Sequence, residues 1–485
     1  MKTSFDVAII GAGFAGSILA WILSRSGMSV ALIDAATHPR FAIGESSTPI
    51  ADMILRRLSQ VHGIAELNRL ATWGDWQQSY PNLACGRKRG FSYYQHAIDR
   101  PFSETQLGSH SLLIAASPND DVSDTHWYRP DVDHFLFQHA ISSGVADYSG
   151  HRVTSYYTPD ESTSHRFVIN TEGAQGVRQL AGHWLIDASG AAAVTTRLAS
   201  TKTFTDSLKT STRATYAHYR NVGSWTEQLD RQEISVDMDP FNADDAAQHH
   251  LLESGWLWML RFNNGITSIG LTSPFDQPRG PADSFGDYPS LRAIMQNASV
   301  VAPADGPRTT QRLQYLVDPL QNPRHLLLPT AALTLDPLHS TGIAHGLAGV
   351  DRIASILLTD SKIERDAAID SYRRAFFDET RLLDLLVSTA YATMRDFDRF
   401  AAACSIFIAG AICSEERYQQ GNAPSHLWNA DDPQFMEFAT QACLRLRNPK
   451  SDFESFVRNG LTPWNHAGLM DPAAANRYAF TATKR

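Results

Sequence analysis

The sequence predicts an α/β fold: a parallel-sheet domain, an inserted antiparallel sheet and a C-terminal helical region. Three observations predict it. Phe5 to Ile10 is a short apolar run that leads into a glycine-rich turn and then a helix-like segment. Residues 210–275 carry runs of period two, which suit antiparallel strands. From about Glu364 the apolar spacing turns helical, with Tyr372, Phe376, Leu382, Leu386 and Ala390 near one face.

Each element follows in order. Phe5-Asp-Val-Ala-Ile-Ile10 reads as a buried parallel strand by length and β-branching. Gly11-Ala12-Gly13-Phe14-Ala15-Gly16 makes the turn, Ser17–Ser26 the helix, and Gly27 its end. Ser29 to Ile33 is a second strand closed by Asp34. His151–Val168 reads as strands around a polar hairpin, and Trp184–Asp187 as a strand running into Ala188-Ser189-Gly190. Ala214–Tyr219 and Ile266–Leu271 are period-two strands of the inserted sheet. Glu364 to Ala442 is helical, and the tail from Gly460 reads as a packed arm. The expected division is 1–205 together with 305–363, then 206–304, then 364–485.

The chain has 485 residues, enough for about three domains at ~150 residues each. It is 43% hydrophobic and 19% charged, which excludes a disordered or fibrous protein. A net charge of −9 with no long basic run argues against a nucleic-acid binder or a polybasic membrane anchor. Val7 to Ser24 is uncharged over 18 residues, but glycines interrupt it and no signal-peptide pattern precedes it. Cys85, Cys404, Cys413 and Cys443 stand far apart, so neither zinc nor a disulfide framework is signalled. A soluble, cytoplasmic, metal-free protein is expected.

The turn carries chemistry because of its context: strand before, helix after, and Asp34 at the end of the next strand. Gly11 permits the tight turn, Gly13 lets a pyrophosphate approach the backbone, and Gly16 lets helix pack on strand. Phe14 and Ala15 belong to the turn before a helix N-terminus whose free N–H groups and partial positive charge suit phosphates. Asp34 would accept from adenosine ribose hydroxyls. No second turn of this kind appears, so one dinucleotide is expected.

Further motifs carry a resemblance. Gly44-Glu45-Ser46-Ser47-Thr48-Pro49 resembles the G-E-S-x-x-P segment of flavin-dependent halogenases, within the p-hydroxybenzoate-hydroxylase-like flavoproteins. Asp187-Ala188-Ser189-Gly190 is similar to that group's second flavin motif. Asp336-Pro-Leu-His-Ser340-Thr341-Gly342 resembles the D-P-x-x-S-T-G loop, and Gly255-Trp256-Leu-Trp258-Met-Leu-Arg261 the G-W-x-W-x-I-P segment. The resemblance implies FAD, with Glu45, Ser46, Ser47 and the Asp336–Gly342 loop flanking the flavin ring. It implies backbone N–H groups of Thr341 and Gly342 facing the ring's pyrimidine edge or an anion. Arg129 opens an element that touches flavin in relatives, or is simply paired.

Halogenases use a lysine in a K-x-x-x-x-F type segment. Lys88-Arg-Gly-Phe91-Ser-Tyr93 matches that spacing, with Tyr93 where Phe is usual, although the basic triplet 87–89 also fits a solvated face. Three departures stand out. His339 replaces the Glu of tryptophan halogenases, Arg261 replaces the Pro after the double-tryptophan segment, and Thr330 stands where relatives carry the ribityl-binding Asp. A hydroxyl there suggests loosely held FAD. Trp256 and Trp258 share one strand face, to stack on an aromatic substrate or to fill the core. His339 is read as a general base or as a structural histidine.

The two departures at His339 and Arg261 favour a monooxygenase that hydroxylates an indole or phenol through a flavin C4a-hydroperoxide. A tryptophan within a peptide is a candidate substrate, as in the tryptophylquinone-biogenesis branch. The first alternative is an FADH2-dependent halogenase of an aromatic substrate, fed by a separate flavin reductase. The second is a non-catalytic FAD-binding scaffold.

Overall fold

The structure is a computed structural model that describes residues 3–159, 166–174, 176–276 and 285–479. An eight-stranded sheet forms the first layer. Its order runs Leu320–Asn322, His325–Leu327, Gly176–Asp187, Ser4–Ile10, Val30–Asp34 and Ala146–Ser149. Ser4–Ile10 pairs in parallel with Val30–Asp34 on one side and Gly176–Asp187 on the other. These strands are apolar almost throughout because both faces are covered. The helix Phe14–Arg25 covers one face, and its buried side chains join the main core. The expected 151–168 hairpin has flanks at His151–Tyr157 and Phe167–Gly173, while its tip lies outside the described residues.

The second sheet has nine strands. Thr212–Arg220, Ile266–Pro274, Gly255–Arg261 and Ala247–Leu252 pair antiparallel in that order. The sheet does not stay within 206–304. Ala247–Leu252 pairs in parallel with Gly90–Gln95, which pairs with Ser111–Ala115, and the tail strand Arg477–Tyr478 closes that edge. The physical reason is burial: the 90–95 and 111–115 strands are buried on both faces and need sheet partners for their backbone groups.

Long helices Lys362–Thr393 and Phe397–Gln419 pack beneath the cofactor region. Among the described residues, Phe397–Gln419 is the one helix long and apolar enough to cross a membrane, and 94% of its apolar window is buried inside the fold. The apolar run at 7–24 is a strand, a turn and a helix.

Candidate active site

A cavity of about 1000 Å³ runs from the first turn to the second sheet. Its near end is the glycine turn. Gly11 adopts φ +107°, and a Cβ there would lie 2.4 Å from the Ala188 carbonyl oxygen. A Cβ on Gly16 would lie 2.0 Å from the Gly11 oxygen, so helix and strand meet only because both are glycine. At Gly13, by contrast, the nearest atom to such a Cβ is Arg129 Nη2 at 3.5 Å, which leaves backbone open to the cavity. The helix that starts at Phe14 has no side-chain cap, so its first-turn N–H groups face the cavity that Gly13, Phe14 and Ala15 line. Helix Gly342–Leu358 is likewise uncapped, and Thr341 and Gly342 line the far part of the wall. Two bare helix starts aimed into one cavity fit a dinucleotide with its pyrophosphate at one and an electron-rich ring edge or anion at the other.

Asp34 lines the same end. It accepts from the Ala12 and Ala36 N–H groups at 2.8 Å each and from Arg40 at 3.1 Å, which fixes the carboxylate at the strand end. Arg129 is buried on the wall, clamps Asp133 through two bonds of 2.7 and 2.8 Å, and donates to the Ile43 and Gly44 carbonyls. It therefore braces the Gly44–Pro49 loop. Glu45 and Ser46 line the cavity, and Glu45 is bonded at 2.7 Å to His218, a buried partner 173 residues away. Ser47 sits one position behind the wall, its hydroxyl on Asp52.

Asp187 is placed differently from expectation. Its oxygens accept from Ser189 and from both the N–H and hydroxyl of Thr195, so it shapes the loop whose Ala188, Ser189 and Gly190 form the wall. Asp336 and Ser340 line the wall directly. Burial pushes the Asp336 carboxyl up to about 6, while bonds from Tyr391, Leu338 and Thr212 temper the shift. Thr330 lines the cavity in the position that the resemblance gives to the ribityl contact.

Trp256 and Trp258 belong both to the core and to the cavity wall, with ring centroids 6.0 Å apart. Gly270, opposite Trp258 in register, makes room for the indole, since a Cβ would lie 2.0 Å from that ring. Leu260 completes the same face. Arg261 faces the other way, to Asp244 at 2.9 Å and to the Val222 and Gly223 carbonyls. Its replacement of proline therefore leaves the cavity wall untouched.

Lys88 and His339 lie behind the wall. Lys88 is fully buried, donates to the Ser47 carbonyl at 2.6 Å and rests 4.0 Å above the Phe91 ring. This is an enclosed ammonium and not a solvated face. His339 is buried and stacked on Phe407 at 4.1 Å, and burial, with the field of His249, pushes it down to about 3. A group of that basicity is a poor general base near neutral pH. Tyr93 is buried off the cavity, its ring 4.4 Å from that of His249. His249 is the residue that the sequence did not flag: it lines the cavity beside Trp256 and reaches the Ser92 carbonyl at 3.1 Å. Among the described residues no group of His, Cys, Asp and Glu is arranged to hold a metal ion.

Fold and site together define an FAD-dependent oxidoreductase. The family model described as FAD dependent oxidoreductase matches residues 6–312, and the chain belongs to that family, with FAD as its cofactor. The chain is similar to monodechloroaminopyrrolnitrin halogenase PrnC of Pseudomonas fluorescens, at 27% identity over 86% of this chain and 73% of that one. It is also similar to the tetracycline 7-halogenase of Kitasatospora aureofaciens, at 26% identity over 85% and 74% of the two chains. In fold it is similar to halogenase PltM solved in complex with phloroglucinol and FAD, with a TM-score of 0.86, 23% identity, and 98% and 100% coverage. These relatives correct the expectation of aromatic hydroxylation: over most of the chain's length they are halogenases. Neither departure that had favoured oxygenation acts on the cavity as expected, since Arg261 points away from it and His339 is buried behind its wall.

Proposed function

We propose that this chain is a flavin-dependent halogenase that replaces a C–H bond of an electron-rich aromatic ring by a carbon–halogen bond. One observation carries the reading: Lys88, a buried ammonium on the Ser47 carbonyl, one residue behind the Glu45–Ser46 wall of the cofactor cavity. The halogenase relatives support it.

FAD, when bound and reduced, supplies together with O2 the two-electron oxidation of halide. In net terms reduced FAD, O2, halide, a proton and the ring C–H give FAD, the halogenated ring and two waters. The chain's residues divide the work. Gly13, Phe14 and Ala15 offer N–H groups to the pyrophosphate, and Asp34 accepts from the ribose. Thr341 and Gly342 present N–H groups to a ring edge or a halide. Trp256, Trp258 and Leu260 exclude water. Lys88 orients the oxidised halogen by charge-assisted hydrogen bonding.

The substrate class proposed is a small aromatic molecule, and a separate flavin reductase is the proposed source of reduced FAD. A reducing, cytoplasmic setting goes with four buried free cysteines. The test supplies chemically reduced FAD and O2 to the protein with a panel of indoles, phenols and tryptophan-containing peptides, with and without bromide. Mass spectrometry is expected to find a product only with bromide. Products that gain oxygen whether or not bromide is present would overturn the reading.

A further inference from the structure

Net halogenation by reduced FAD and O2 consumes one proton at the cofactor. A buried site then needs a group that holds that proton and a route that replaces it. Glu45 and His218 have the geometry for both. Glu45 lines the cofactor cavity between Gly44 and Ser46. Its Oε1 lies 2.7 Å from Nε2 of His218, and both side chains are buried. The backbone beneath the carboxyl is held on two sides. Arg129 donates to the Gly44 carbonyl, and the Glu45 carbonyl accepts from the Trp127 N–H at 2.6 Å. His218 comes from the strand Thr212–Arg220 of the second sheet, opposite Ser268 in register.

The second nitrogen of His218 carries the inference. Nδ1 is buried and has no hydrogen-bond partner. A histidine that only braces a carboxylate uses one nitrogen, and leaving the other bare in the core is costly. An imidazole that passes a proton needs both nitrogens, one toward the acceptor and one to receive the replacement. The ring is walled by Phe41, Tyr128 and Phe262, with centroids at 4.9, 5.5 and 6.0 Å. Phe41 and Tyr128 are half-buried, so solvent lies one residue away. The polar groups around this collar are the Tyr128 hydroxyl, Asp131 and Arg220, which act on it, and Arg308, 5.7 Å from the Phe41 ring centre.

We propose that Glu45 and His218 form the proton relay of the cofactor cavity, with Glu45 the donor on the wall and His218 the group that refills it. The inference rests on the halogenase reading for the reaction that consumes the proton. The Glu45 O–H bond breaks, and its proton forms an O–H bond on oxygen that leaves as water. The carboxylate then faces Nε2–H of His218, and Nδ1 is bare. A solvent proton adds at Nδ1, the Nε2–H bond breaks, and the acid is restored. The ring then returns to its Nε2–H tautomer. One solvent proton enters for each proton spent.

The test follows flavin absorbance as reduced FAD, O2 and bromide turn over once and then repeatedly, with product read by mass spectrometry. Wild type, Glu45→Gln, His218→Gln and His218→Ala are compared after FAD binding and thermal midpoint are checked. Glu45→Gln keeps the shape and removes the acid, and its first turnover is expected to slow about tenfold. His218→Gln keeps a bond to Glu45 and removes the second nitrogen. The ratio of its later to its first turnover rate is expected to fall about tenfold. Added imidazole should raise that ratio in His218→Ala. In the cofactor-free protein, infrared spectra across pH should show a carboxyl band that Glu45→Gln abolishes and His218→Gln displaces. If Glu45→Gln does not bind FAD, the His218 variants and the infrared band decide. A wild-type first turnover in Glu45→Gln overturns the relay, as does a wild-type ratio or an undisplaced band in His218→Gln. A wild type that forms no brominated product overturns the halogenase reading, while flavin kinetics and the infrared band still decide the relay.

Discussion

The large cofactor cavity and the region around Lys88 differ in what they are made of. The large one meets the cofactor mainly with backbone: a glycine turn, two uncapped helix starts and a loop braced by Arg129. The region around Lys88 is mainly side chains: an ammonium on the Ser47 backbone carbonyl, and histidines stacked on phenylalanines. On the proposed reading, holding the cofactor and using its oxidising power are built by separate means. Backbone donors suit a large ligand of fixed shape. A reactive, short-lived intermediate calls for enclosed, water-excluding side chains.

Substitution on each side should therefore fail differently. The largest effect belongs to Lys88→Ala. Halogenated product should fall about a hundredfold or more while flavin fluorescence still reports bound FAD. Loss of FAD binding in this variant would erase the distinction between the two regions. On the cofactor side, Gly16→Ala pushes a methyl to 2.0 Å from the Gly11 oxygen. It should cost about 1–3 kcal/mol in thermal unfolding and weaken FAD in a fluorescence titration.

Asp336 joins the regions, since its loop bears His339 and lines the large cavity. Its carboxyl is raised from 3.8 to about 6 by burial, so the fold favours the protonated form. Its contribution to stability is then complete below about pH 4 and lost as pH rises through about 6. Asp336→Asn should gain on wild type between pH 4 and pH 8, by about 2 kcal/mol in denaturant melts. The smallest effect is Arg261→Ala. Its bonds to Asp244 and the Val222 carbonyl lie on the far side of the strand, so stability should drop by about 1 kcal/mol and the product should keep its identity. A switch from halogenation to hydroxylation in that variant would place Arg261 in the chemistry after all.

Much of the cofactor region was legible because it is contiguous. Residues 5–34 spell strand, turn, helix and strand in order, and each glycine has a local reason. Arg261 was misjudged from the sequence although strand alternation bears on it: 256, 258 and 260 share one face, and 261 takes the other. The Lys88 side was not legible, because its partners are remote in sequence. His249 meets Tyr93 through parallel pairing of strands that no local pattern links, and Glu45 finds His218 in the other sheet. The second sheet overran its expected limits for the same reason, by recruiting 90–95, 111–115 and the tail. Asp187 was found as part of a motif, yet its hydrogen bonds are set by Thr195, eight positions on, in the short helix Val194–Leu198 that the motif does not describe.

Halogenation and oxygenation separate most cleanly in one turnover with reduced FAD, bromide, an aromatic substrate and O2 labelled with heavy oxygen. Mass spectrometry then compares the wild-type and Lys88→Ala reactions. A halogenase that works through Lys88 gives a wild-type product with the paired isotope pattern of bromine and no heavy oxygen, and almost none from Lys88→Ala. A wild-type product that carries heavy oxygen and no bromine would contradict that chemistry.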